Sequence, residues 1–251
     1  MAPPPLVAVA HGSRDPRSAR AIAGLLDVVR AKHSELDVRA AFLDLSAPRL
    51  LDVLSALHAE GHREVVVAPL LLGNAYHARV DVPAMVAEAT TRLPRLSVSV
   101  ADVLGPDARL ETVALHRLRA ATGPRDDGAL GVVLAAAGSS HRPANTAVSA
   151  VARRWAARHG WAGAIAAFAA AAEPDVATAI RRLRARGARR IAVGSWFLAP
   201  GLLPDRIAAK ARAADPDVVI AEPLGAAPAL AELVLDRYHE ARISVSTLQY
   251  A

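Results

Sequence analysis

The two halves of the chain repeat one another. Shifting the sequence by 126 residues aligns residues 6–77 with residues 132–203 without a gap. The matched positions include turn glycines, a proline and apolar residues: Gly12 with Gly138, Phe42 with Phe168, Pro48 with Pro174, Gly61 with Gly187, and Leu72 with Leu198. A register that is held over so many turn and core positions indicates an internal duplication. The sequence therefore predicts two similar domains with a cleft between them.

Each half alternates short apolar strands with amphipathic helices. In the first half the predicted strands cover 6–10, 38–43, 64–72 and 96–103, and the helices between them begin close to Pro16, Pro48 and Val82. This β-α-β-α order predicts an α/β fold of two flavodoxin-like or Rossmann-like lobes, each a parallel sheet flanked by helices. We expect an N-terminal lobe over 1–121, a polar linker over 122–130 and a C-terminal lobe over 131–251.

The composition excludes several classes of protein. Cysteine is absent, which excludes disulfides and thiolate chemistry and leaves histidine and carboxylates as the strong metal ligands. The net charge is +6, but aromatic residues make up only 4% and no nucleic-acid motif is present, so we expect no nucleic-acid partner. The short stretch before the first strand and the short apolar runs predict a cytoplasmic protein without a membrane segment.

Three residues that can bind metals or carry protons occur in the first half alone. Their partners in the second half are apolar: His11 is replaced by Ala137, Asp44 by Ala170 and His77 by Leu203. All three lie at or just past predicted strand ends, at the edge where α/β sheets bind ligands. Two imidazoles and a carboxylate suit a divalent ion such as Fe, Co, Ni or Zn, and an imidazole also accepts protons near neutral pH. The sequence predicts a metal or proton-transfer site there.

Ordinary structural roles compete with this interpretation. Taken alone, His11 is equally a hydrogen-bonded turn residue, and the polar loop around His77 favours a solvated histidine. Asp81 either orients His77 or, as we expect, caps the helix that begins at Val82. Three arginines flank the predicted site and either bind substrate carboxylates or are solvated charges: Arg14, Arg17 and Arg79.

Three segments together resemble the sirohydrochlorin chelatase family, the class II chelatases of sirohaem and cobalamin biosynthesis. They read AHGSRDP, AFLDLSAP and APLLLGNAYHARVDVP. His11 matches the first histidine of the family pattern, Asp44 its acidic position, which is often Glu, and His77 its second histidine. The second half is similar to that of the long, duplicated members, whose C-terminal copy lacks the active-site histidines.

The resemblance implies a lyase that inserts Fe²⁺ or Co²⁺, or Ni²⁺, into a carboxylate-rich tetrapyrrole without a nucleotide. It implies that His11, Asp44 and His77 are catalytic and bind the metal. It further implies that four residues bind the substrate: Ser13, Arg14, Arg17 and Arg79. We expect no cofactor beyond the metal substrate. The expected partners are the metal and the tetrapyrrole, with no nucleic acid and no membrane, and the sequence does not indicate an oligomeric state.

Three alternatives remain at this stage. The metal is either iron for sirohaem or cobalt for cobalamin, because the same ligands accept both. A carrier of metal or tetrapyrrole without turnover is a rival of another class. Phosphoryl transfer through a phosphohistidine at His11 normally needs an Arg-His-Gly turn, and Ala10 stands at the arginine position.

Overall fold

The first half of the chain forms a four-stranded, fully parallel sheet with the strand order β2-β1-β3-β4. The computed structural model describes residues 3–73, 80–123 and 128–248. Its first-half elements are β1 (Leu6–Ala10), α1 (Pro16–Lys32), β2 (Val38–Phe42), α2 (Leu50–Ala59), β3 (Glu64–Pro69), α3 (Val82–Arg92), β4 (Ser97–Val100) and α4 (Ala108–Thr122). Every residue of β1 is buried, as expected for a central strand that helices cover on both faces.

The second half forms a sheet of the same topology, with the order β6-β5-β7-β8. Its elements are β5 (Leu130–Ala136), α5 (Arg142–Arg158), β6 (Gly163–Phe168), α6 (Val176–Ala185), β7 (Arg190–Trp196), α7 (Leu202–Ala214), β8 (Val219–Ile220) and α8 (Pro228–Leu248). The prediction of two duplicated α/β lobes with parallel sheets is confirmed.

The duplication extends to unusual backbone conformations. Leu45 has a φ of 61° and its repeat partner Ala171 a φ of 57°, both in the left-handed region that side chains disfavour. The matched turn glycines Gly61 and Gly187 have φ values of 100° and 93°. The repeat therefore conserves local geometry even where the side chains have changed.

The last helix of each repeat packs on the sheet of the other repeat. Helix α4 contacts β7 and β8, whereas α8 contacts β3, β4 and α1. The chain accordingly divides into unit 1, Met1–Asp107 with Gly225–Ala251, and unit 2, Ala108–Leu224. These bounds differ from the expected lobes 1–121 and 131–251, because a sequence repeat identifies copied segments and not the sheet that each helix covers.

The helices bury one face each, as the periodicity predicts. The buried residues of α1 are Ile22, Leu25, Leu26 and Val29, and those of α2 are Leu50, Val53, Leu54 and Leu57. Among the described residues, no helix combines the length and the apolar character that a membrane crossing requires.

Tyr238 attaches α8 to the start of the chain in unit 1. Its side chain is 1% exposed, and its hydroxyl donates a 2.7 Å hydrogen bond to the carbonyl oxygen of Pro4. Burial raises the pKa of Tyr238, so the hydroxyl keeps its proton for this bond. One residue thus supplies both packing and a buried hydrogen bond.

We predict that Tyr238→Phe lowers the free energy of unfolding by about 1 kcal/mol, because the Pro4 carbonyl loses its partner. Tyr238→Ala should cost about 3–5 kcal/mol through the cavity that it leaves. Chemical denaturation followed by circular dichroism measures both. Ile243→Ala, at a position in α8 that is 67% exposed, is the control and should change little. A Tyr238→Phe variant as stable as the wild type would contradict the prediction.

Candidate functional site

Two loops meet at the carboxyl edge of the unit 1 sheet. Strands β1 and β2 pair in parallel up to Ala10 and Phe42. The hydrogen bonds continue into the loops: the N–H of Leu43 donates to the carbonyl of Ala10 at 2.9 Å, and the N–H of Asp44 donates to the carbonyl of His11 at 2.9 Å. Two of the predicted site residues, His11 and Asp44, are therefore joined through their backbones at this edge.

Gly12 permits the close approach of these loops. Its φ is 93°, and a Cβ atom at this position would lie 1.7 Å from the carbonyl oxygen of Asp44. Gly138 in unit 2 has a φ of 84° and the same relation to Ala170, with a distance of 1.9 Å. Any side chain would need to displace the neighbouring backbone, so both turns require glycine.

Ser46 holds the turn after Gly12 in place. Its Oγ accepts the N–H of Ser13 at 3.0 Å and donates to the carbonyl of Ser13 at 2.9 Å. The Ser13 hydroxyl in turn accepts the N–H of Asp15 at 3.1 Å. In unit 2, Asn145 makes the equivalent pair of bonds to the backbone of Ser139. Ser13, a predicted substrate-binding residue, thus also has a structural role that both units retain.

The imidazole of His11 is half-buried at the end of β1. Its Nδ1 lies 3.2 Å from the carbonyl oxygen of Gly12. A carbonyl oxygen only accepts hydrogen bonds, so the ring donates here in the tautomer that carries its proton on Nδ1. In that tautomer, Nε2 is the atom that binds a metal ion or accepts a proton.

Asp44 is exposed and forms an ion pair that the sequence analysis missed. Its Oδ1 lies 3.0 Å from Nη2 of Arg49, and Nη1 of Arg49 donates to the carbonyl of Leu43 at 3.1 Å. The repeat contains a signal for this pair. Asp175 replaces Arg49 in the second half and caps α6, while Ala170 replaces Asp44, so both members of the pair change together.

The two described arginines of the predicted substrate site differ in their contacts. Arg17 donates from Nε to both carboxylate oxygens of Asp15, at 3.1 and 3.0 Å. These bonds lower the pKa of Asp15, whose side chain also caps α1 by accepting the N–H of Arg17. Arg14 is exposed and has no hydrogen bond or ion pair within the described part of the chain. Its guanidinium is therefore available to an anion.

His77 and Arg79 lie outside the described residues, so their predicted roles remain predictions. The expected cap at Asp81 is wrong. Asp81 precedes α3 with helical φ and ψ values of −71° and −48°, and its side chain makes no capping hydrogen bond. A capping side chain normally needs an extended backbone to reach back to the first turn, and Asp81 has already entered the helical conformation.

A second group of potential metal ligands lies at the opposite, amino edge of the unit 1 sheet. One ligand atom from each of Asp37, Glu60 and His62 lies within 4.8 Å of the others. Arg39 donates to Asp37 at 2.8 Å and to Glu60 at 2.9 Å, and its hydrogen bonds lower the pKa of Glu60. Arg39 already pairs with both carboxylates, so the group forms an ion-pair cluster.

Comparison with known proteins agrees with this architecture. The CbiX family model matches residues 5–121 and 131–241. A sirohydrochlorin ferrochelatase of Bacillus subtilis is 25% identical over 235 residues, which cover 92% of this chain and 89% of that protein. A sirohydrochlorin cobaltochelatase of Methanosarcina acetivorans is 24% identical over 123 residues, covering 46% of this chain and 95% of that one. The structure of SirB from Bacillus subtilis with Fe³⁺ has the same fold, with a TM-score of 0.74, 23% identity and 94% coverage of both chains.

We predict that Gly12→Ala lowers the free energy of unfolding by about 2–5 kcal/mol, through backbone strain and the clash with Asp44. Circular dichroism during chemical denaturation measures the loss. Gly61→Ala is the matched control, because Gly61 also has a positive φ but nothing lies within 4 Å of its added Cβ. The control should lose about 1–2 kcal/mol. Equal losses in the two variants would show that the contact with Asp44 contributes nothing.

Proposed function

The chain belongs to the CbiX family, and on that premise we propose that it is a sirohydrochlorin chelatase. In this proposal it is a lyase that inserts a divalent ion, Fe²⁺ or Co²⁺, into a carboxylate-bearing tetrapyrrole without a nucleotide. The relatives named as ferrochelatase and cobaltochelatase support this reaction class. The metal is a substrate, and the choice between iron and cobalt is a matter for direct assay.

One observation carries the assignment of the site. The hydrogen bond that joins Asp44 to His11 at 2.9 Å recurs in unit 2, where Ala170 donates to Ala137 at 3.0 Å. The same backbone geometry therefore forms with methyl groups in place of the imidazole and the carboxylate. Since the fold does not need these polar side chains, their presence in unit 1 supports a chemical role.

The reaction replaces two pyrrole N–H protons of the macrocycle with one divalent ion, and no electrons are transferred. A neutral imidazole at His11 suits either task of the reaction, accepting a proton or holding the ion before insertion. His77 shares these tasks in the proposal. Asp44 assists by ligating the ion or by polarising an imidazole, and Arg49 orients its carboxylate.

The substrate carries acetate and propionate groups, which require cations on the protein. Arg14 meets this requirement, because it is exposed and unpaired within the described part of the chain. Arg17 binds a substrate carboxylate only in competition with Asp15, which already accepts its hydrogen bonds. In the proposal, Arg14 therefore contributes more to substrate affinity than Arg17. Ser13 and Arg79 complete the proposed set.

An anaerobic insertion assay tests the proposed function. Purified protein is mixed with sirohydrochlorin and, in separate reactions, with Fe²⁺, Co²⁺ or Ni²⁺, and the absorption spectrum is followed against a reaction without protein. We predict acceleration with iron or cobalt, and competition between the two ions ranks them. Tight binding of the tetrapyrrole without acceleration by any ion would replace the chelatase assignment with that of a carrier.

Site variants test the assignment of the residues. We predict that His11→Ala and His77→Ala each lower kcat/KM for insertion by about 100-fold or more, the usual effect of losing a general base. Asp44→Asn should lower it less, because an assisting group is lost. His116→Ala, at an exposed position in α4, is the control and should retain activity. Circular dichroism verifies the fold of each variant, and a folded His11→Ala variant with full activity would refute the site.

A further inference from the structure

Unit 2 contains an open polar cavity of about 730 Å³ beside α5. One wall is a face of α5 that includes Arg142, Asn145, Ser149 and Arg153, and the other wall is the segment that follows β6. We call this cavity the α5 groove. Its volume lies within the range of about 300–1,000 Å³ that is usual for small-molecule sites, and it is larger than a single inorganic anion needs.

The α5 wall carries two guanidinium groups that the fold does not use. Arg142 and Arg153 are exposed, and neither guanidinium group has a hydrogen bond or ion pair within the residues that the structure describes. By contrast, Asn145 is held by the backbone of Ser139, and the Thr146 hydroxyl donates to the carbonyl of Arg142 at 3.1 Å. The donors left for a ligand are therefore mainly the two arginines.

The opposite wall is mostly apolar. It contains the ring of Phe168 and the side chains of Ala171 and Ala172, with Glu173 as the one acidic residue that lines the groove among the described residues. Glu173 is engaged, because its Oε2 accepts the N–H of Asp175 at 3.1 Å. Two arginines against one carboxylate leave the groove with a net positive charge and an apolar side.

The repeat shows that this surface is particular to unit 2. The counterparts of these four residues in α1 lack the two cations, the amide and the hydroxyl: Pro16 replaces Arg142, Ala19 replaces Asn145, Ala23 replaces Ser149 and Asp27 replaces Arg153. The second copy has therefore lost the imidazoles and the carboxylate of the first copy while it carries cations and polar groups that the first copy lacks. The same scaffold has diverged toward a different ligand chemistry.

We infer that the α5 groove binds carboxylate arms of the tetrapyrrole, an inference that rests on the proposed function. Arg142 and Arg153 are eleven positions apart on one helix, so their Cα atoms are separated by roughly 16 Å. Carboxylates on separate arms of one macrocycle suit such a spacing better than a single phosphate does. Each guanidinium can bind a carboxylate through two parallel hydrogen bonds, and the apolar wall packs against the ring.

Metal-free binding of sirohydrochlorin, read from its absorption or fluorescence, tests the inference. The double variant Arg142→Gln and Arg153→Gln should raise the Kd about tenfold or more, as expected for losing two charge-assisted contacts, and in turnover the effect should fall on KM rather than kcat. The control double variant, Arg182→Gln and Arg212→Gln, removes the same charge from exposed positions of unit 2 outside the groove, and its Kd should change less than twofold. Equal effects in the two double variants, or no effect in either, would overturn the inference.

Two further measurements distinguish a failure of this inference from a failure of the proposed function. Inorganic phosphate is titrated against the thermal stability of the wild type and of the groove variant. Stabilisation that requires Arg142 and Arg153, together with unchanged sirohydrochlorin binding, would assign the groove to a free oxyanion and overturn the carboxylate-arm inference. If the wild type metallates sirohydrochlorin and the groove variant binds it with an unchanged Kd, this inference alone is overturned. A wild-type protein that neither binds nor metallates it overturns the proposed function as well.

Discussion

The candidate site depends on one backbone contact, the approach of Gly12 to the carbonyl oxygen of Asp44. The absence of a side chain at Gly12 lets the loop after β1 lie against the loop after β2, and the hydrogen bond from Asp44 to His11 then connects them. Just past these loop residues, Ser46 clamps the turn by hydrogen bonds to the backbone of Ser13, and Asp15 caps α1. Backbone contacts thus place the Cα atoms of His11 and Asp44 next to each other at the edge of the sheet.

Duplication separates what the scaffold requires from what the chemistry requires. The glycine contact, the left-handed residue after β2 or β6 and the loop hydrogen bonds are present in both units. Asn145 replaces Ser46 as the clamp, so the function of the clamp is retained while the residue changes. His11 and Asp44 have no such substitute, and four residues that line the α5 groove are replaced at the corresponding positions of α1. The two units therefore share a fold and differ in the polar side chains that they carry at these positions.

The exchange of α4 and α8 makes each unit depend on both repeats. Unit 1 completes its core with Tyr238 and its neighbours from the end of the chain, whereas unit 2 begins with α4 from the first repeat. Neither repeat contains a complete unit by itself, although the repeats are contiguous in sequence. The physical reason for the exchange is that a parallel sheet needs helices on both faces, and a helix from the other repeat helps to cover each sheet.

The sequence by itself determined the duplication, the helices and strands to within a few residues, the parallel sheets, and the placement of His11 and Asp44 at strand ends on one edge of a sheet. These follow from hydrophobic periodicity, from turn residues and from strand ends, which are local properties that the order of residues records. Only the tertiary structure decided the pairing of Arg49 with Asp44, the helical backbone at Asp81, the exchange of α4 and α8, and the α5 groove. Each of these depends on backbone angles or on contacts that form when the chain closes, and no local pattern specifies them.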